Sequence, residues 1–586
     1  MRGGMHAKRG VRSFAAVIAS TLIALTAIGF SALCGGSAVA AESADTIYEN
    51  ARIYTVDAGH PWASALAVRA DRLIGIGSEE SVAALKGPAT KVVDLNRAFV
   101  LPGFIDVHTH IAWGGQYLNG IGLRDATTMA EVLRRVKSYV AAHPGGGWIQ
   151  GEAWSYGYPD LEGGEFHKEM LDRIVPDRPV YLSSSMAHAA WVNTKALELA
   201  GITRDTPDPP GGIIVRDVKG QPTGWLKEEP AINLVGKHIT ASTPADLRAA
   251  FKSAFHEAGR LGITRFDSAG MDFSYLDLLG ELEHSGELTV RLEIADVVNP
   301  PGLTPELLSK YETARRRYHD DWLSVVALKF FMDGVIESHT AWLPDGYADD
   351  PKQTGLRQWE PAAYKAAVRA AAEHGFQVYT HAIGDGAVKL TLDAYEEANA
   401  ATAGKPPLRH RIEHMEALYP SDIPRFGRLG VIASMQPAMI YPRDEWMGME
   451  HVWPEYAGQK RVKTAFALRS ILDAHGILAF GTDWPTVRLD PVYSLRNAVL
   501  RQSLDGQPPG GYVPSERITV PQAIRAYTLD AAFASHREKQ EGSLEVGKLA
   551  DFVVLSNNLL EIEPQEIAKV TVLRTIVGGR QVYTAP

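Results

Sequence analysis

The feature that most constrains the fold is an alternation of short apolar runs with helix-length amphipathic stretches between residues 99 and 483. The amphipathic stretches include residues 245–260, 360–374 and 387–400. Strands that alternate with helices predict an α/β fold with a parallel sheet, and eight such units predict a (β/α)8 TIM barrel. The eight apolar runs are residues 99–107, 262–267, 288–294, 325–331, 377–381, 410–414, 430–435 and 478–483.

The two ends of the chain are β-rich and differ from this middle part. Residues 45–100 contain several short runs of alternating pattern, and the pattern returns at 551–556 and 571–583. We therefore expect a small β-sandwich domain built from both chain ends. The predicted boundaries are 41–100 and 536–586 for the sandwich and 101–535 for the barrel. A Gly-, Pro- and Trp-rich insertion is predicted at about 115–245.

The first forty residues have the three-part pattern of a secretory signal peptide. A basic start is followed by an apolar run from Phe14 to Leu33 and by Ala38-Val-Ala40. This predicts cleavage after Ala40 and export to the periplasm or the medium; the alternatives are a retained membrane anchor and a lipidated Cys34.

Removal of this segment would change both the charge and the cysteine count of the chain. It contains four cations and no acidic residue, so its loss takes the net charge from −10 to −14. It also contains the chain's one cysteine, so a mature protein has no thiolate ligand. The acidic balance argues against nucleic-acid binding and against anionic membranes, and no later apolar run is long enough for stable membrane insertion.

Residues with metal-ligand chemistry lie at the ends of the predicted barrel strands. His108 and His110 are two apart in a strand, so their side chains share one face and could bind Zn²⁺ or a similar ion. Alone, such a pair is as often structural. Lys329 lies within an apolar run, where burial would lower its pKa and favour reaction with CO₂ to form a carbamate. The alternative is a lysine that reaches solvent with its amine.

Three later strand ends add matching groups. His381 and His414 each end an apolar run, and Asp483 follows the last one. Each residue taken singly is more often structural, but six ligand-type residues that fall in this order on strand ends of one predicted barrel indicate a metal site. Asp106 and Glu413 lie close to these positions in sequence and could orient the ligands, or simply bond to the strand ends.

These motifs resemble the amidohydrolase superfamily, and within it the family-3 branch that includes N-substituted formamide deformylases. The resemblance covers nearly all of the chain after residue 40. It is carried by the segments 101–110, 329–338, 381–386, 411–414, 435–437, 481–485 and 542–552, with 188–193 and 211–214 also typical of the branch.

The resemblance implies a site for two divalent ions, with Zn²⁺ expected and Mn²⁺, Fe²⁺ or Co²⁺ possible alternatives. It implies that carboxylated Lys329 bridges the ions, and that Asp483 acts as general base and then general acid beside a metal-activated hydroxide. The implied ligands of the inner ion are His108, His110 and Asp483, and those of the second ion are His381 and His414.

Substrate contacts are expected from the insertion and from the loops that follow the strands. The resemblance places His188 at the site, and the loop positions suggest four further residues. The candidate contacts are His188, Trp113, Asp333, Glu337 and Trp484.

The function expected from these features is hydrolysis of a C–N bond, other than a peptide bond, in a small amide, N-acyl or N-formyl compound. The same chemistry could act on an ester, a lactone or a cyclic amide. A non-catalytic metal-binding regulator or ligand-binding protein is the alternative of another class. A homo-oligomer is compatible with the sequence.

Overall fold

The computed structural model describes residues 43–161, 165–185, 187–239, 242–446 and 450–586. The predicted signal peptide, with its Ala40 cleavage position, lies outside them. Within these ranges no helix combines the length and the apolar character needed to cross a bilayer.

Eight parallel strands form the barrel that the alternation predicts, and each of the eight predicted runs overlaps one of them. The order of hydrogen-bonded neighbours follows the chain from β8 to β21, passing through β15 to β20. The strands are almost entirely buried on both faces, as expected of a parallel sheet covered by helices. The strands are β8 (Phe104–Thr109), β15 (Ile263–Ala269), β16 (Arg291–Val297), β17 (Leu323–Phe331), β18 (Gln377–Ala382), β19 (Arg411–His414), β20 (Ile432–Met435) and β21 (Ile477–Phe480).

Helices surround the strands and begin where the sequence supplies capping residues. Thr243 and Asp246 form a reciprocal capping box around Pro244 at the start of the longest helix before β15. The helices of the described residues are Glu79–Ala83, Ile111–Asn119, Met129–Ala142, Lys168–Asp172, Thr194–Leu199, Glu229–Gly236, Pro244–Arg260, Leu276–His284, Pro305–Arg317, Pro361–Glu373, Asp385–Ala401, Ile423–Leu429, Val452–Ala457, Gln459–Val462, Leu468–Asp473, Pro491–Leu500, Val520–Ala526 and Leu529–Ala534.

Strands from both chain ends form two sheets beside the barrel. The first sheet has the order β5-β4-β1-β6, and the second joins N- and C-terminal strands in the order β24-β23-β22-β7-β2-β3. The pairing of β7 with β22 brings residues 99–102 against 552–555, which confirms that the chain ends share one small β domain. These strands are β1 (Thr46–Glu49), β2 (Arg52–Tyr54), β3 (Trp62–Ala63), β4 (Ala65–Arg69), β5 (Arg72–Gly77), β6 (Lys91–Asp94), β7 (Phe99–Pro102), β22 (Phe552–Leu555), β23 (Val572–Val577) and β24 (Arg580–Thr584).

The segment between β8 and β15 forms a six-stranded mixed sheet of its own, in the order β13-β14-β12-β11-β10-β9. Its last two strands in the chain, β13 and β14, pair antiparallel as a hairpin. The strands are β9 (Ile121–Gly122), β10 (Ile149–Trp154), β11 (Val180–Ser184), β12 (Ala189–Val192), β13 (Ile213–Arg216) and β14 (Pro222–Lys227).

The barrel interior contains a buried layer of charged and polar side chains. Arg411 donates to Asp267 at 2.8 Å, and its guanidinium lies 3.5 Å from the centre of the Tyr379 ring. Tyr379 donates to Glu293, and Ser535 donates to Asp267. A paired layer of this kind satisfies charges that would be costly to bury alone, and Arg411 extends it toward the strand ends through Glu413.

Candidate metal centre

Three of the predicted ligands meet where the barrel closes. His108 and His110 lie at the end of β8, and Asp483 follows β21. The backbone N–H of Asp483 donates to the carbonyl of His108 at 2.7 Å, and that of His110 donates to Trp484 at 2.8 Å. This pairing places Oδ1 of Asp483 3.3 Å from Nε2 of His108 and 3.0 Å from Nε2 of His110.

Two further histidines complete a row across neighbouring strand ends. The ring of His414, at the end of β19, is centred 4.8 Å from that of His108 and 4.6 Å from that of His381 in β18. Nitrogen or oxygen atoms of His108, His414 and Asp483 all lie within 4.8 Å of one another, a spacing that can hold one ion.

Lys329 lies inside β17 with its amine away from solvent. The residue is 0% exposed, and Nζ is 4.9 Å from the centre of the Phe331 ring. Burial lowers the pKa of Lys329 to about 8, although the carboxylates of Glu413 and Asp483 oppose this. The alternative of a lysine that reaches solvent is therefore wrong, and a neutral amine is accessible near neutral pH.

Hydrogen bonds to neighbouring groups fix which nitrogen of two histidines is free. Nδ1 of His108 donates to Glu413 at 2.6 Å, so its Nε2 presents a lone pair toward Asp483. Nε2 of His381 donates to the carbonyl of Gly334 at 3.1 Å, which leaves Nδ1. Such outer partners are typical of histidines that bind metals.

Burial keeps two of the histidines in the neutral form that binds a metal. It lowers the pKa of His414 to about 3 and that of His381 well below its ordinary value.

Several buried polar atoms at the strand ends have no hydrogen-bond partner. They are Nζ of Lys329, Nδ1 of His414 and Oδ1 of Asp483. Leaving such atoms unpaired is costly, and a cation that accepts their lone pairs would remove the cost. The set of nitrogen and carboxylate oxygen donors suits Zn²⁺ and related divalent ions, so the residues fit a metal.

The backbone at these ligands is also unusual. His414 and Asp483 have φ angles of 75° and 60°, and Met415 has a φ of 49°. Residues other than glycine rarely adopt this left-handed backbone conformation, and such strain concentrates at functional sites. The strain indicates that the strand ends are shaped to aim these two side chains.

A cavity of about 620 Å³ opens onto the predicted ligands, and this volume suits a small molecule. Its walls include the aromatic residues Trp113, Phe331, Trp359 and Trp446. Among the described residues that line it there is no lysine or arginine. The cavity therefore offers apolar surface and acidic groups, and no fixed cationic side chain to pair with a substrate carboxylate.

The structure separates the five candidate substrate contacts into three groups. His188, Trp113 and Glu337 line the cavity. Asp333 also borders it, but its carboxylate accepts three backbone N–H bonds, from Trp342, Ile383 and Gly384, so it organises loops. Trp484 does not line the cavity.

The position of Trp484 has a steric cause. Its indole packs against Gly114 so closely that a Cβ there would lie 2.1 Å from the ring. The helix that begins at Ile111 thus packs against the indole, and the expected substrate contact of Trp484 stays a prediction.

The lining residues that the sequence reasoning missed include two carboxylates and two large aromatic rings. Glu228 and Glu416 bring carboxylates to the cavity, and Trp359 and Trp446 bring aromatic rings. Glu416 is two residues beyond His414, so proximity to a ligand could have indicated it. The other three lie in segments with no recognisable motif.

Comparison with known proteins places these features in a family. The amidohydrolase family profile matches residues 91–583. Protein LONG AFTER FAR-RED 3 of Arabidopsis thaliana is 33% identical over 92% of each chain. N-substituted formamide deformylase of Arthrobacter pascens is 28% identical over 91% of this chain and 97% of its own.

The fold comparison agrees with the sequence comparison. An uncharacterised metal-dependent hydrolase from Pyrococcus furiosus superposes with a TM-score of 0.68 at 28% identity, covering 88% of this chain and 100% of its own. With the barrel, the terminal sheets and the ligand-type residues at the strand ends, these matches establish that the chain belongs to the amidohydrolase family of metal-dependent hydrolases.

Proposed function

We propose that this protein hydrolyses the C–N bond of a small N-acylated or N-formylated amine. The observation that carries the proposal is the convergence of buried, unpartnered donor atoms of Lys329, His414 and Asp483 beside a small-molecule cavity. We further propose two divalent ions, held by the residues named above, with Lys329 carboxylated. A divalent ion bound there would polarise the scissile carbonyl and lower the pKa of water.

Asp483 is the residue placed to move protons in this reaction. Burial alone would raise its pKa, but His108 and His110 hold the pKa of Asp483 well below its usual value, so it is ionised and can accept a proton. It would take the proton from the attacking water and deliver it to the departing amine, which lets one carboxylate serve both halves of the reaction.

The cavity walls support a particular kind of substrate. Trp113, Phe331, Trp359 and Trp446 offer ring surfaces for an apolar or aromatic substituent. Among the described lining residues there are several acidic side chains and no lysine or arginine, which disfavours substrates with a free carboxylate. An N-formyl or N-acyl derivative of an arylalkyl amine satisfies both conditions, and it agrees with the name of the Arthrobacter pascens relative, an N-substituted formamide deformylase.

The test is hydrolysis by protein loaded with Zn²⁺, Mn²⁺ or Co²⁺. N-benzylformamide, N-benzylacetamide, N-acetylphenylalanine, benzyl acetate and a γ-lactone form the panel. We expect turnover of the two N-benzyl amides, weaker or no turnover of the carboxylate, and loss of activity in Asp483→Asn. Asp473→Asn, an exposed carboxylate on the helix Leu468–Asp473, is the matched control.

Two other results would redirect the proposal. Preference for benzyl acetate or the lactone would assign the site to ester or lactone hydrolysis. No turnover of any compound by metal-loaded protein, with a biological effect that survives Asp483→Asn, would favour a non-catalytic binding role.

A further inference from the structure

A histidine and a glutamate from the insertion form a pair beside the predicted metal ligands. His188 directly precedes β12 and Glu228 directly follows β14, and these strands pair antiparallel with Ala189 opposite Lys227. The register therefore sets the two residues side by side. The backbone N–H of Glu228 donates to the carbonyl of His188 at 2.8 Å, and Nδ1 of His188 donates to the Glu228 carboxylate at 2.8 Å.

The carboxylate of Glu228 is held firmly from its other side. Its second oxygen accepts hydrogen bonds from Ser338 at 3.0 Å and from Thr340 at 2.8 Å, both in the loop that follows β17. Glu228 is 2% exposed and has a φ of 64°, a conformation that glutamate rarely adopts. Three donors directed at one buried carboxylate favour its ionised form, so its charge remains beside the imidazole.

The free edge of His188 faces the cavity. Nδ1 is occupied by Glu228, so Nε2 is the atom left to meet a ligand. The side chain is 20% exposed, lines the cavity, and has its ring centre 5.8 Å from that of His381. A substrate bound at the strand ends would therefore come within reach of Nε2.

Amide hydrolysis has an electrostatic need that Asp483 does not meet. Attack of water forms a C–O bond and moves the carbonyl π electrons onto oxygen. The proposed metal ion would polarise that oxygen through one lone pair, and a hydrogen-bond donor to its other lone pair would lower the barrier further. Asp483 is occupied with the proton that passes from water to the leaving nitrogen. The Glu228 carboxylate lies 2.8 Å from Nδ1 of His188 and pairs with a doubly protonated ring, in which Nε2 also carries a proton that it can donate to the carbonyl oxygen.

We propose that His188 is a catalytic residue that donates a hydrogen bond from Nε2 to the scissile carbonyl oxygen, and that Glu228 is its positioning residue. This inference rests on the proposed function, since the oxygen belongs to the amide substrate. It also explains why the insertion is tied to the loop after β17: Ser338 and Thr340 fix Glu228, which fixes His188.

The first test is a double-mutant cycle in the metal-loaded protein with N-benzylformamide. His188→Asn should lower kcat by about 100- to 1,000-fold with KM changed less than about threefold. Glu228→Gln should lower kcat by about 10- to 100-fold. In the His188→Asn background the same change should add less than about twofold, because Glu228 acts through His188. Glu198→Gln, an exposed carboxylate of the insertion, is the matched control.

The second test does not depend on turnover. The tetrahedral anion N-benzyl methylphosphonamidate and the planar N-benzylacetamide are titrated by calorimetry into each variant, with bound metal measured in parallel. We expect His188→Asn to weaken phosphonamidate binding by about 100-fold and amide binding by less than about threefold, at unchanged metal content.

The two proposals can fail separately. If wild-type protein hydrolyses no amide but binds the phosphonamidate through His188, the proposed function is wrong and the oxygen-binding role of His188 stands. Any of three results would overturn the inference. They are equally weakened binding of both ligands in His188→Asn, additive effects of the two substitutions on kcat, and an unchanged kcat in His188→Asn. If His188→Asn does not fold, the effect of Glu228→Gln on kcat and on phosphonamidate binding decides whether the inference holds.

Discussion

Replacing Lys329 by methionine should make the metal-free protein more stable. Lys329 is fully buried and its amine has no partner, and burial lowers its pKa from 10.5 to about 8. Each unit of difference between unfolded and folded pKa corresponds to about 1.4 kcal/mol. The charged amine therefore costs the folded state about 3 kcal/mol at pH 7, and methionine has a similar shape without the charge.

The pH dependence follows from the same two pKa values. The unfolded chain binds a proton at Lys329 up to about pH 10.5, whereas the folded chain releases it above about pH 8. Stability of the wild-type protein thus rises with pH through this window. The advantage of Lys329→Met should be complete below pH 8 and fall to less than about 1 kcal/mol at pH 10.

The assay is urea unfolding of both proteins at pH 7 and pH 10, after removal of metal with a chelator and in buffers freed of CO₂. Lys460→Met is the control, because that side chain is 91% exposed and its loss should change stability by less than about 0.5 kcal/mol at either pH. A variant that is no more stable than wild type at pH 7, or equally stabilised at both pH values, would refute the reasoning. Lys329→Met should also lower the amount of bound metal and abolish hydrolysis. A residue that destabilises the fold is expected to be kept because the function requires it.

Three further changes probe the site. Glu413→Gln should weaken metal binding about 10- to 100-fold, measured by competition with a chromophoric chelator, because it removes the charged partner of His108 at 2.6 Å; unchanged affinity would contradict this role. Gly481→Ala should lower the unfolding free energy by about 1–3 kcal/mol and reduce bound metal, because a Cβ there would lie 2.6 Å from the backbone nitrogen of His108; unaltered metal content and urea midpoint would count against it. Trp446→Ala should raise KM for N-benzylformamide about tenfold with little change for formamide itself, and an equal effect on both would show that the ring does not contact the benzyl group.

The barrel could be predicted from the sequence because parallel strands are buried on both faces. Strands such as 325–331 appear as nearly continuous apolar runs, the others keep an apolar part, and helices with a single apolar face separate the runs. The predicted ligands could be found for a related reason. Polar residues such as His381 and Asp483 are conspicuous when they directly follow an apolar run, and all such ends meet at one face of the barrel.

Cavity residues in the insertion were harder to predict, because its strands are not barrel strands whose ends all meet at one face. Glu228 follows a strand of mixed polarity and lies among other charged residues, so nothing in its neighbourhood separates it from a surface glutamate. It reaches the cavity only because β12 and β14 pair in a register that sets it beside His188. Trp484 directly follows a predicted ligand in sequence, and its ring packs on Gly114, a contact that the sequence alone does not indicate.

The site is held in a conformation that the local sequence does not favour. A buried unpaired amine, positive φ angles at His414 and Asp483, and a strained Glu228 all oppose folding of the metal-free chain. The buried layer of charged side chains in the barrel interior stabilises this conformation. In it Arg411 donates hydrogen bonds to Asp267 and Glu413, and His108 donates one to Glu413. Each member is buried, and Arg411 and Glu413 each bond to a neighbour on both sides, so displacement of either one leaves a buried charge unpaired. The layer therefore fixes His108 before any ligand binds, and the cost of strain is met during folding rather than during binding.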